Sequence, residues 1–152
     1  MDKKGWKIKE KVVAIIENYL DKDSKVFHDE NLPVIASPSN RTRQCDVVIV
    51  QGEEPRITTS IVEVQKRKSK PNINDFGGWL KKKEEVGAQH LICVSEKGFP
   101  KSIKEEADRI GPSVRLLTLK ELEEKKWPIH LPNFLSKIIK VRYDEIWGDL
   151  FK

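Results

Sequence analysis

The stretch Cys45-Asp46-Val47-Val48-Ile49-Val50, followed after Gln51-Gly52-Glu53-Glu54-Pro55-Arg56 by Ser60-Ile61-Val62-Glu63-Val64-Gln65-Lys66, decides the fold. Both halves are strand-length runs rich in β-branched residues, and the Gly- and Pro-containing segment between them is a turn, so they read as a hairpin of Gln44 to Val50 and Ile57 to Gln65. Each strand carries one acid among Val and Ile. Strands buried on both faces are nearly all apolar, so an acid inside one needs a partner, a metal or a shifted pKa. If the turn centres between Glu54 and Pro55, Asp46 lies directly opposite Glu63, with Cβ atoms about 5 Å apart. If it centres one residue nearer the N-terminus, Asp46 faces Ile61 and Glu63 still shares its face, because side chains alternate with period two. Gln65 belongs to that face, and Lys66 points to the other one.

Working outward, Ile8, Val12, Ile15, Ile16 and Tyr19 recur at helical spacing and predict an amphipathic helix from Trp6 to Leu20. Another strand is expected at Pro33 to Ser37, before the polar turn Pro38 to Arg43. A second helix, capped at Asn74 or Asp75, carries Phe76, Trp79 and Leu80 as core residues and stops at Gly87. Gly77-Gly78 inside it costs about 1 kcal/mol per residue against Ala, which implies either a different boundary or close packing there. His90 to Ser95 reads as a strand, Lys101 to Ile110 as a helix ended by Gly111, and Ser113 to Thr118 as a last strand. The order αβββαβαβ predicts an α/β fold with a mixed sheet flanked by helices on both faces.

At 152 residues the chain predicts a single core. Residues 1–120 form the expected domain. Residues 121–152, with Trp127, Ile129, Leu131, Phe134, Ile138, Tyr143 and Trp147, read as an apolar helical extension packed on it, or as the surface of a homodimer. No apolar run approaches the roughly 20 residues of a membrane span, and the start lacks a signal peptide's apolar core, so a cytoplasmic protein with no membrane contact is expected. Cys45 and Cys93 lie in apolar stretches far from other metal ligands and read as buried thiols. His28, His90 and His130 lack nuclease or metal spacing, and the absence of a phosphate loop disfavours an ATPase.

Lys and Arg number 29 against 24 Asp and Glu, a net charge of +5. Between Arg41 and Lys83 ten cations face five acids, a surplus as large as that of the whole chain. Such a surplus favours an acidic partner, although a solvated surface accounts for Lys81-Lys82-Lys83 more simply. Arg41, Arg43 and Gln44 in and after the first turn, with Lys66, Arg67, Lys68 and Lys70 beyond the acidic strand, would flank Asp46 and Glu63 where phosphates of a nucleic acid would run. Two carboxylates held this close repel unless a cation lies between them, and their hard oxygens suit Mg²⁺ or Mn²⁺. The alternative places both acids at strand ends, solvated or paired with Arg43, Arg67 or Lys68.

The segments Arg43-Gln44-Cys45-Asp46-Val47-Val48-Ile49, Ile61-Val62-Glu63-Val64-Gln65-Lys66-Arg67-Lys68 and Val94-Ser95-Glu96-Lys97-Gly98-Phe99 resemble the PD-(D/E)XK nuclease superfamily, most closely its Mrr-like restriction endonuclease branch. The resemblance spans about residues 8 to 120. It implies a restriction-endonuclease-like αβββαβ core and a Mg²⁺- or Mn²⁺-dependent DNA endonuclease acting on double-stranded DNA as a homodimer. Asp46 and Glu63 would hold the ion with the Val64 backbone carbonyl, and Glu10 of the first helix would approach it, with Glu17 as the other candidate. Cys45 stands where the name-giving motif has Pro. Gln65 stands at the third catalytic position, usually Lys, and some active restriction enzymes carry the same Glu-x-Gln. A bulge would bring Lys66 into that place instead. A decayed scaffold that only binds DNA and a junction or repair nuclease are the competing expectations, and replacing Asp46 or Glu63 by Ala is expected to leave the fold intact.

Overall fold

A computed structural model describes residues 3–19, 24–35 and 40–124. The expected extension from residue 125 onward lies outside them, as do Pro38 and Ser39 of the expected first turn. The chain runs α1 (Lys3–Tyr19), β1 (Lys25–Pro33), β2 (Thr42–Gln51), β3 (Thr58–Val64), α2 (Ile73–Val86), β4 (His90–Ser95), α3 (Lys101–Ile110), β5 (Val114–Thr118) and α4 (Leu119–Glu123). The five strands form one sheet in sequence order, β1-β2-β3 antiparallel and β3-β4-β5 parallel. This is the expected α/β architecture with a mixed sheet.

Period two divides the central strands between two cores. On one face Val47, Ile49, Val62, Val64, Ile92 and Val94 pack against Ile8, Val12 and Ile16 of α1 and Leu119 and Leu122 of α4. On the other, Val48, Ile61, Leu91 and Cys93 pack against Phe76 and Val86 of α2 and Ile103 and Ala107 of α3. Phe76 is completely enclosed; burying such a side chain stabilises by about 1.5–3 kcal/mol. Cys45 and Cys93 are free, buried thiols, and burial is the main cause that pushes Cys45 up to about 11 and Cys93 upward. None of the described helices is long and apolar enough to cross a membrane.

The first strand departs from expectation. It occupies Lys25–Pro33, and most of its residues are exposed; of the strand expected at Pro33 to Ser37, Val34 and Ile35 are not in a strand, and Ala36 and Ser37 lie outside the described residues. An edge strand has only one hydrogen-bonded neighbour and here little cover from helices, so Lys25-Val26-Phe27-His28-Asp29-Glu30-Asn31 carries almost no apolar signal. The second helix starts earlier than Asn74. Asn72 caps it by accepting from Asp75 N at 2.8 Å, while Asn72 N donates to Asp75 Oδ2 at 2.9 Å. Gly87 ends it at φ 71°, as expected. Gly52 turns the β2–β3 hairpin at φ 91°, where a Cβ would stand 2.3 Å from the Arg56 carbonyl oxygen.

Gly77 and Gly78 lie inside α2 after all, yet both are exposed and a Cβ on either would meet nothing within 4 Å. Neither the boundary nor packing explains them. Replacing either by Ala is expected to raise stability by about 0.8–1 kcal/mol, read as a higher denaturation midpoint at unchanged slope. An unchanged or lowered midpoint would show that the helix needs glycine here.

Candidate active site

The β2–β3 register pairs Val47 with Val62 and Val48 with Ile61, which sets Asp46 opposite Glu63 just beyond the paired residues. The hairpin thus has the first of the two registers considered. Glu63 alternates with Ile61, so it belongs to the face covered by α2. Both carboxylates line one pocket of about 330 Å³ with Gln44, Val64, Gln65, Lys66, Arg67, Asp75, Trp79 and Lys82. A larger hollow between α3 and β5 holds Asp108 as its only carboxylate.

The acids are not solvated, and Arg43 and Arg67 pair elsewhere, with Glu85 and Asp75. Glu63 is 2 % exposed and Asp46 8 %. Asp46 Oδ2 accepts a hydrogen bond from Val64 N at 2.9 Å, and Asp46 Oδ1 accepts one from Lys66 Nζ at 2.8 Å. Glu63 Oε1 lies 2.7 Å from Lys82 Nζ. Burial, reinforced by the Asp46 charge, pushes Glu63 up to about 7 against the opposing effect of Lys82. Two lysines thus sit beside the two buried carboxyls in one open, polar pocket.

Two expectations about lysines change. Lys66 does not point away from the acids. β3 ends at Val64, so strand alternation no longer governs residue 66, and its ammonium turns back onto Asp46. Lys82 is not a solvated member of its run: its side chain is 16 % exposed and paired with Glu63. The usable signal was its spacing. Asp75, Trp79 and Lys82 stand at i, i+4 and i+7 on α2, one flank of the helix beside the buried Phe76, whereas Lys81 falls off that flank.

Gln65 is buried and borders the pocket, and its Nε2 donates to Ser69 O at 3.2 Å. Val64 is brought to Asp46 by its N–H. Glu10 is not brought in. It is exposed on α1, which packs on the opposite face of the sheet, and Glu17 is exposed there too. Of the expected phosphate contacts, Arg43 is paired with Glu85 at 3.0 Å and Arg67 with Asp75 at 2.8 Å. Gln44, Arg41, Lys68 and Lys70 are exposed, Gln44 at the pocket wall.

The donor set fits Mg²⁺ or Mn²⁺. Among the described residues no group of three or more His, Cys, Asp or Glu gathers to hold a metal. Mg²⁺, however, is ordinarily held by one or two carboxylates, with water and substrate phosphate oxygens completing its octahedron. Asp46 and Glu63 meet that requirement with hard oxygen atoms only.

No protein-family model matches this chain, and no curated protein does. A crystal structure of a protein of unknown function, AF1548, is similar, with a TM-score of 0.57 at 11 % sequence identity. The match covers 80 % of this chain, which spans 66 % of the length of that one. At this identity the likeness is one of fold.

Proposed function

We propose that this chain is a divalent-metal-dependent endonuclease of the PD-(D/E)XK type that hydrolyses phosphodiester bonds in DNA, working in the cytoplasm. The observation that supports it is the pair of buried carboxylates on neighbouring strands, each matched by a lysine inside one polar pocket. Asp46 and Glu63, with the Val64 carbonyl, would hold Mg²⁺ or Mn²⁺, which supplies a lowered pKa for water and charge stabilisation at phosphorus.

Lys82 has the part that Gln65 cannot play. A neutral amide orients water by hydrogen bonds but brings no positive charge to a phosphate. Lys82 Nζ lies beside Glu63, so a phosphate oxygen approaching this carboxylate meets an ammonium already in place. Lys66 balances Asp46 and is half exposed, free to follow a phosphate at the pocket mouth. Cutting both strands of a duplex needs two such sites, which is the reason to propose a homodimer.

A second reading is favoured by Gln65, whose amide is committed to the Ser69 carbonyl: a decayed scaffold that binds DNA without cutting it. Supercoiled plasmid incubated with Mg²⁺ or Mn²⁺ separates the two. Nicked or linear product from native protein, and none from Asp46→Asn, supports the nuclease; plasmid bound but uncut by native protein supports the binder.

Affinity for DNA should also fall with salt. Each free cation that neutralises one phosphate contributes about 0.9 to the log–log slope. Arg41→Ala and Lys70→Ala are expected to lower the slope by about that amount, and Arg67→Ala by less, because Asp75 already balances Arg67. An Arg67→Ala loss equal to theirs would mean that phosphate displaces Asp75.

A further inference from the structure

Trp79 is the aromatic side chain of the pocket. It is half-buried, packed on the α2–α3 core on one side and bordering Asp46, Glu63 and Lys82 on the other. A tryptophan that only filled the core would not line a pocket whose other walls, Val64 apart, are polar. The helix geometry fixes its place: Lys82, three residues on, is bound to Glu63, and Asp75, four residues back, lines the pocket as well. Gly78 stands three residues after Asp75 and four before Lys82, on the same flank, with open space where a side chain would be. A nucleic-acid strand coming over α2 at Gly78 is met by bare helix backbone, and the indole lies next to it.

Size decides what enters. A pocket of about 330 Å³ is at the small end of ligand sites and has room for a single nucleotide of a strand that lies across it. Inside a duplex both faces of a base are already stacked, so an indole gains nothing from it. An unpaired base has a free face, and stacking it on an aromatic side chain is worth enough to dominate the preference of a site. Building on the nuclease reading, we infer that Trp79 is a specificity-determining stacking platform for an unpaired nucleotide beside the scissile phosphate. The favoured substrate is then duplex DNA interrupted by a gap, flap or junction, rather than continuous duplex.

Binding measured without cleavage tests this. Fluorescence anisotropy of labelled DNA, with Ca²⁺ in place of Mg²⁺, compares a continuous duplex with the same duplex carrying a short single-stranded gap. Native protein is expected to prefer the gapped DNA by about tenfold. Trp79→Leu, which keeps apolar bulk and loses the π-face, should erase the preference, and Trp79→Phe should keep most of it. Equal affinity of native protein for the two DNAs, or a preference that survives Trp79→Leu, overturns the inference and leaves the nuclease reading standing. Binding to neither DNA overturns both. Should Trp79→Leu not fold, tryptophan emission decides: the fraction absent from Trp79→Phe must be quenched by gapped DNA and not by continuous duplex, and equal quenching by both overturns the inference.

Discussion

Asp46→Asn is expected to reduce metal-dependent cleavage to less than about one-thousandth of the native rate while leaving the fold in place. The Asn side chain keeps an oxygen that accepts the Val64 N–H, the bond that ties Asp46 to β3. It removes the charge that a divalent ion needs. Lys66 loses its partner, but its side chain is 49 % exposed and water compensates it. Asp46→Ala is a poorer test than the sequence suggested, because it strands a buried N–H and costs about 1–3 kcal/mol. Thermal melts of the two variants should differ accordingly. Cleavage by Asp46→Asn at the native rate would remove Asp46 from the chemistry.

Glu63 makes the same site sensitive to pH. Its carboxyl titrates near 7 in the fold against 4.5 for an ordinary Glu, because burial and the Asp46 charge both penalise the anion. Between those values the folded chain keeps a proton that the unfolded chain has released. The metal-free protein is therefore expected to be most stable, as far as Glu63 is concerned, below about pH 4.5, and to lose on the order of 1–3 kcal/mol as pH rises through 7. A metal ion competes with that proton, so Mg²⁺ or Mn²⁺ affinity should weaken as pH falls below 7, a trend measurable by calorimetric titration. Glu63→Gln should abolish the trend.

Lys82→Ala should lower cleavage by about 10²–10³-fold, the usual effect of removing a preorganised charge partner at a developing anion. The lost ammonium also leaves Glu63 buried without a nearby cation, so the pH at which metal affinity weakens should move upward. Adding Gln65→Lys to that variant is expected to recover part of the rate, since residue 65 lines the same pocket and a lysine there can reach the same phosphate. Full activity in Lys82→Ala would identify Lys82 as a structural counterion, with Lys66 as the cation to examine next. The Gln65→Lys single variant should cut at least as fast as the native chain.

The carboxylate pair was legible in the sequence because one local rule governs it. Alternation along Asp46-Val47-Val48 and Val62-Glu63-Val64 places both acids on one face in either register, and a hairpin turn of known length leaves few registers to choose from. The continuous apolar runs of β3 and β4 announced strands covered on both sides in the same way. β1 escaped because most of this edge strand is exposed and only scattered residues such as Val26 and Leu32 pack on the cores, so its ladder with β2 is what makes it a strand. Lys66 and Glu10 were decided by tertiary structure alone, and for Lys82 helical spacing marked only its flank of α2 and not what that flank meets. Each is one charged residue among many on a polar surface, and what separates them is geometry between elements: α2 lies over Glu63, β3 stops at Val64 so that Lys66 can turn back, and α1 lies across the sheet from the pocket. Periodicity specifies which face of its own element a side chain occupies; which other element that face meets is settled only when the two cores pack.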